Sequence, residues 1–231
     1  MLRKKKAAPV QTGIPVDEGL AGATRPLDIL WSKFAGVEGH DEECARILFT
    51  SADHGVGTTT LACCTALGLA RNLGDEVALI ETNLYAPSMA NYLDMPATPG
   101  LSDCLDGKAE PDEVVRSSSV EGLHVLSAGT ARPPRQGELV SKDARALFRH
   151  AVGDRRYVII DAPPVLAHPE ACIQLEFADW IVMVVQARET RRGRARRAMR
   201  MIHESGTPVL GVIVNRFQSD MPFGIGAGEW Q

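Results

Sequence analysis

Six short runs of apolar residues recur along the chain, and they restrict its fold more than any other feature. They are Ala45 to Thr50, Val77 to Ile80, Leu123 to Leu126, Tyr157 to Ile160, Trp180 to Val185 and Val209 to Val214. Strands that read as continuous apolar runs are buried on both faces, which indicates a mainly parallel sheet. Between the runs lie segments with helical character: Thr59 to Leu73, closed by Gly74, then Lys142 to Val152 and Arg191 to Ser205. Strands alternating with helices predict βαβ units with right-handed crossovers. The expectation is an α/β fold in a single domain, a mainly parallel doubly wound sheet flanked by helices. In such sheets the ligand sits beyond the carboxyl ends of the strands, so the informative residues should follow each strand directly.

The remainder of the chain sets boundaries on this domain. Residues 1–24 are rich in Lys, Ala, Gly and Pro and lack periodicity, so they read as a flexible arm. Leu27, Leu30, Trp31 and Phe34 have helical spacing, with Pro26 in the first turn and Gly36 at the end, and Glu38 to Glu43 reads as an acidic loop. The domain is expected over 25–217, with a tail at 218–231. A net charge of −4 argues against a general nucleic-acid binder. No apolar run approaches the roughly 18 residues that span a bilayer, so an integral membrane protein is not expected. The basic start, Met1 to Lys6, has no apolar segment behind it and is not read as a secretory signal. Cys44, Cys63, Cys64, Cys104 and Cys172 form neither a disulfide framework nor zinc-type pairs, and read as small buried hydrophobes in a reducing cytosol.

After the first run comes Ser51-Ala52-Asp53-His54-Gly55-Val56-Gly57-Thr58-Thr59-Thr60, which opens directly into a helix. A glycine-rich turn at a helix N-terminus presents free backbone N–H groups and a favourable dipole to an anion. Gly55, Val56, Gly57, Thr58, Thr59 and Thr60 are therefore candidate phosphate-binding residues, and the Thr59 hydroxyl is placed to ligate Mg²⁺. A dinucleotide fingerprint would need a glycine where Thr60 stands. A phosphate loop of the nucleotide-hydrolysing kind needs a lysine after its last glycine, and Thr58 occupies that place. Asp53 adds a negative charge nearby. The competing reading is a strand–turn–helix corner with no ligand.

With these residues in view, the segment from 45 to 217 resembles the bacterial tyrosine kinases of capsule and exopolysaccharide synthesis. That family belongs with the MinD/ParA-like deviant P-loop ATPases, so the resemblance implies a P-loop NTPase fold. The family pattern Ser-x-x-Pro-Gly-x-Gly-Lys-Ser/Thr-Thr resembles Ser51 to Thr60, with His54 for the proline and Thr58 for the lysine. A second pattern, Asp-x-Asp-x-x-x-Pro after a strand, resembles Glu81 to Pro87, with Glu81 and Asn83 in place of the two aspartates. The third is intact at Tyr157 to Leu166 and contains Asp161, which the resemblance makes a Mg²⁺-side carboxylate. The fourth ends in Asn215, whose counterpart meets the adenine base. Gly100 to Gly107 and Leu126 to Leu139 resemble two connecting segments of the family.

What the resemblance implies is ATP or ADP with Mg²⁺ as weakly held ligands. It also implies a cytoplasmic location and a membrane polysaccharide co-polymerase as partner, with the protein peripheral to the inner membrane through it. The departures point the same way. The family's C-terminal acceptor tyrosines are missing, since Tyr85, Tyr92 and Tyr157 are the chain's three tyrosines and Asp220 to Gln231 has none. The Glu-x-x-Arg-x-x-Arg motif that assembles rings is replaced by Leu27 to Ala35, which leaves self-association open. A degenerate relative kept for binding is therefore expected. An active autokinase or ATPase, with Asp161, Glu81 and Asn83 as its catalytic residues, is the alternative. A MinD/ParA-like positioning protein is the third reading.

One further feature is a run of arginines at Arg188, Arg191, Arg192, Arg194, Arg196, Arg197 and Arg200. Arg192, Arg196 and Arg200 fall four apart on a helix, so they share a face. That face is either a contact for an acidic partner surface or simply solvated. His54 reads as a loop filler, or as a substitute donor to phosphate when protonated.

Overall fold

The computed structural model describes residue 37 and residues 44–217. The expected arm at 1–24, the helical pattern at 26–36, the acidic loop at 38–43 and the tail at 218–231 lie outside the described residues. In chain order the elements are β1 (Ala45–Ser51), α1 (Thr58–Leu73), β2 (Val77–Glu81), α2 (Met89–Leu93), α3 (Leu101–Leu105), α4 (Pro111–Val114) and β3 (Val115–Ser117). They continue with β4 (Leu123–Leu126), α5 (Lys142–Val152), β5 (Tyr157–Asp161), α6 (Pro169–Gln174), β6 (Trp180–Gln186), α7 (Arg192–Glu204) and β7 (Val209–Asn215). Single 3₁₀ turns sit at Glu138–Val140 and Leu175–Phe177.

The strands form one seven-stranded sheet in the order β3-β4-β2-β5-β1-β6-β7. All neighbours are parallel except β3 and β4. Side chains alternate across each strand, and this divides the core in two. Ile47, Phe49, Leu79, Ile159 and Val184 pack on one face with Ala62, Ala66, Leu69 and Ala70 of α1. Leu48, Ile80, Ile160 and Met183 pack on the other with Leu147 and Ala151 of α5 and Ala198 and Ile202 of α7. Small residues along α1 let it lie close over β1, β2 and β5. Helix α1 stops where Gly74, in the left-handed conformation at φ 69°, turns its N–H back to Ala70 O.

Two expectations need correction. The run ending the domain is expected to be buried on both faces, but among the described residues β7 has one neighbouring strand, β6, and Val212 and Val214 are exposed. The sequence also gave no sign of β3 or of α2, α3, α4 and α6, which have three to six residues each. A helix needs more than about two turns before a 3.6-residue period becomes visible.

Candidate nucleotide site

Strand β1 delivers the chain to the loop at the C-terminal edge of the sheet, and α1 carries it away. Between them Gly55 and Gly57 have φ of 73° and 92°, which only glycine adopts without strain. Gly57 is the N-cap of α1, and its carbonyl accepts the first helical bond from Leu61 N at 3.0 Å. A Cβ added there would lie 2.3 Å from Asn215 Nδ2. That amide donates to Val56 O at 2.7 Å, while Asn215 Oδ1 accepts from Arg216 N at 2.9 Å. Asn215, at the end of β7, thus braces the loop from behind. No side chain caps α1 and no acid lies in its first turn, so its leading N–H groups face outward, ready for an anion.

Strands β2 and β5 end side by side, with Glu81 opposite Asp161. Glu81 is buried and fully used: Oε1 accepts from Ser88 N at 2.6 Å and Met89 N at 3.0 Å, and Oε2 from Ala128 N at 3.2 Å. Burial pushes its carboxyl up, and those three N–H groups oppose the shift. Asp161 is buried with less support. Burial and then Glu81 push it up to about 8, against a hydrogen bond from Thr59. Among the described residues its Oδ2 has no hydrogen-bond partner, and Asn83 Oδ1 is likewise buried and unpartnered.

Ser51, Asp53, His54, Gly55, Gly57, Thr58, Thr59, Thr60, Asn83, Tyr92, Asp161 and Arg216 surround one depression of about 320 Å³. Of the residues singled out in the sequence, Val56 and Glu81 are buried beside it and Asn215 supports it. Arg192, Arg196 and Arg200 are exposed on α7, away from the lining. A hydroxyl, an amide oxygen and one carboxylate suit Mg²⁺, which takes one or two carboxylates and completes its shell with water and substrate phosphate. Asp161 Oδ2 and Asn83 Oδ1, both without partners, fit that role, and the glycine loop fits the phosphates. When bound, Mg²⁺ would neutralise phosphate charge.

What the site lacks is a cation at Thr58, the first residue of α1. Arg216 lines the depression with Nη1 on Gln186 Oε1 at 3.1 Å. Sequence reasoning missed the fate of Asp53: Arg194 of α7 pairs with it through Nε and donates Nη2 to Ala52 O at 3.0 Å. The loop's added negative charge is thus matched by one arginine of the run. Also missed is the packing around His54, whose ring meets His168 edge-on at 5.8 Å, while His168 stacks on Tyr85 at 3.6 Å. Of the cysteines, Cys63 is buried, the other four are half-buried, and none forms a disulfide among the described residues.

The connecting segments have a structural task. Asp103 Oδ2 accepts from Gly100 N at 2.9 Å and Thr130 N at 3.1 Å, and Oδ1 from the Thr130 hydroxyl. A side chain at Gly129 would strike Asp103 Oδ2 at 2.6 Å, so the glycine is required there. Arg132 bonds both oxygens of Glu138, at 2.7 and 2.6 Å, and Asp106 Oδ1 at 3.0 Å.

A strand, a glycine loop, an uncapped helix and a buried aspartate at a neighbouring strand end define a P-loop nucleotide-binding domain. Residues 44–222 match the family model described as ParA, NUBPL iron-transfer P-loop NTPase. The tyrosine-protein kinase YwqD of Bacillus subtilis is 32% identical over 184 residues, 79% of this chain and 76% of that one. The putative tyrosine-protein kinase CapB of Staphylococcus aureus is 24% identical over 203 residues, covering 85% and 88%. The crystal structure of the chimerical protein CapA2B2 superposes with a TM-score of 0.77 at 23% identity, covering 86% of this chain and 88% of that one. The chain belongs to the bacterial tyrosine-kinase family of ParA-like P-loop NTPases.

Proposed function

We propose that the protein is a tyrosine-kinase-like component of capsule or exopolysaccharide synthesis and export, with weak ATP or ADP and Mg²⁺ binding and impaired phosphoryl transfer. The observation that carries this reading is Thr58 at the first position of α1, where a phosphate-loop lysine would stand. In this reading the N–H groups of α1 and the loop hold phosphate oxygens. Thr59, Asn83 and Asp161 hold Mg²⁺ and its water shell, and Asp161 is the residue through which any remaining activity runs. Removing one preorganised donor from a transition state costs about 10²–10³ in rate. Loss of the lysine therefore reduces turnover far more than it disturbs the fold. Incubation of the full chain with Mg²⁺ and ATP, followed by mass spectrometry, is expected to find Tyr85, Tyr92 and Tyr157 unmodified. Stoichiometric phosphate on any of them would establish the second reading, an active tyrosine autokinase, which the intact Asp161 favours.

The partner in this reading is the cytoplasmic end of a membrane polysaccharide co-polymerase, and the protein is cytoplasmic and peripheral to the inner membrane through it. Arg192, Arg196 and Arg200, exposed on α7, are the proposed contact for an acidic tail. Exposed ion pairs are worth about 0–1 kcal/mol each, so several must act together and binding should weaken from 0.1 to 1 M salt as the Debye length shrinks from about 10 to about 3 Å. Reversing all three charges is expected to abolish capture of that tail without lowering the melting temperature. Undiminished capture would remove this face from the reading.

A further inference from the structure

On the sheet face opposite α1 is a second cavity, of about 510 Å³, with no lining residue in common with the phosphate-loop depression. Its size lies within the range of small-molecule sites, roughly 300–1,000 Å³. The floor is Ile80, Val158 and Ile160 of β2 and β5, and the walls include Phe148 and Val152 of α5 and Phe177. The two phenyl rings meet edge-on with centroids 5.6 Å apart.

The mouth is charged. Arg145 and Arg149 lie four apart on α5, both exposed. Arg145 Nε donates to Val140 O at 3.1 Å, and neither guanidinium has an ion-pair partner among the described residues. Like charges at this spacing repel each other. Arg46, also at the mouth, is matched by Asp179 at 2.9 Å, and Glu176 is the remaining carboxylate of the lining. The mouth is therefore net positive above an apolar floor.

Deeper in, Gln174 is 1% exposed and lines the cavity. Its Oε1 accepts from the Thr82 hydroxyl at 2.7 Å. Its amide nitrogen carries two donors, so a buried glutamine lining a cavity is a contact for a polar ligand atom.

We propose that this cavity binds a small amphipathic anion, its apolar ring or short acyl chain on Ile80, Val158 and Ile160 and its carboxylate or phosphate head between Arg145 and Arg149. The two sites share no lining residue, so the test is run without nucleotide. Three probes test it on the full chain, each below its micelle concentration: decanoate, decyl phosphate and the neutral decyl glucoside. Calorimetry is expected to show saturable one-to-one binding of at least one anionic probe, with the neutral one at least tenfold weaker. The relative strengths of decanoate and decyl phosphate identify the preferred head. The exposed double variant Arg145→Glu/Arg149→Glu should melt like wild type and bind the anion at least tenfold more weakly. Methyl NMR of the wild-type protein should place the shifts at Ile80, Val158 and Ile160 and leave Val56 unmoved, a readout that needs no variant. Absence of saturable binding, equal affinity for the neutral probe, unchanged affinity in the double variant, or shifts confined elsewhere would each overturn the proposal.

Discussion

Asp161 is where the cost of the site is concentrated. A carboxyl held at about 8 in the fold, against 3.8 for the ordinary group, binds its proton more tightly when folded than when unfolded. The stability linked to that proton is complete below about pH 4 and is lost as pH rises toward 8. Glu81 is shifted the same way and adds to the slope. Thermal melts without nucleotide are therefore expected to show a midpoint that falls between pH 5 and 8. Asp161→Asn, which removes the buried charge, should flatten that fall and raise the midpoint at pH 8 by several degrees, because a few kcal/mol moves a domain of this size by roughly 2–4 °C each. A midpoint that rises with pH in wild type, or an unchanged slope in the variant, would show that Asp161 is charged and satisfied by other means. The Thr59 hydroxyl and the orphan oxygens of Asp161 and Asn83 were foreseeable as site residues from their places after β1, β2 and β5. The protonation that burial forces on Asp161 was not, because it depends on Glu81 lying opposite it across two parallel strands.

Among the elements, α7 has two uses that the sequence alone could not separate. The arginine run was legible as a charged helix face, and Arg192, Arg196 and Arg200 do stand on the exposed side. Arg194 instead reaches a loop 141 residues earlier in the chain and covers the carboxylate of Asp53. Such a pairing has no local signal, since it arises only when β6 and α7 fold back beside β1. The pair is half-exposed and contributes about 0–1 kcal/mol to stability. Its effect should appear in ligand binding, because without Arg194 the Asp53 charge faces incoming phosphate. Arg194→Ala is expected to weaken a fluorescent ADP analogue several-fold in Mg²⁺, and adding Asp53→Ala should restore the affinity. If the double variant binds no better than the single one, Arg194 acts through something other than Asp53. The order of strands and helices was legible because every central strand is a solid apolar run. The edge β7, the antiparallel β3 and the short helices were not, since a few residues at a sheet edge carry neither the period nor the burial that marks an element.

At the scale of the whole molecule, the fold and the phosphate-loop site have separate supports. The sheet core lies on both faces of β1, β2, β5 and β6, and the pair of half-buried Arg132 and buried Glu138 ties the connecting segments together without touching the phosphate loop. Burial pushes Glu138 up, but Arg132 and the Arg135 N–H outweigh it and hold the carboxylate below its usual range. A chain built this way can lose a phosphate-loop lysine and keep its architecture. The most direct test is phosphate release from ATP by wild type and Thr58→Lys side by side, with Mg²⁺ and saturating nucleotide. The account predicts wild-type release near background and an increase of about 10²-fold when the lysine is supplied, reversed by adding Asp161→Ala. Wild-type turnover of about 1 s⁻¹ or faster, abolished by Asp161→Ala and unimproved by Thr58→Lys, would contradict it.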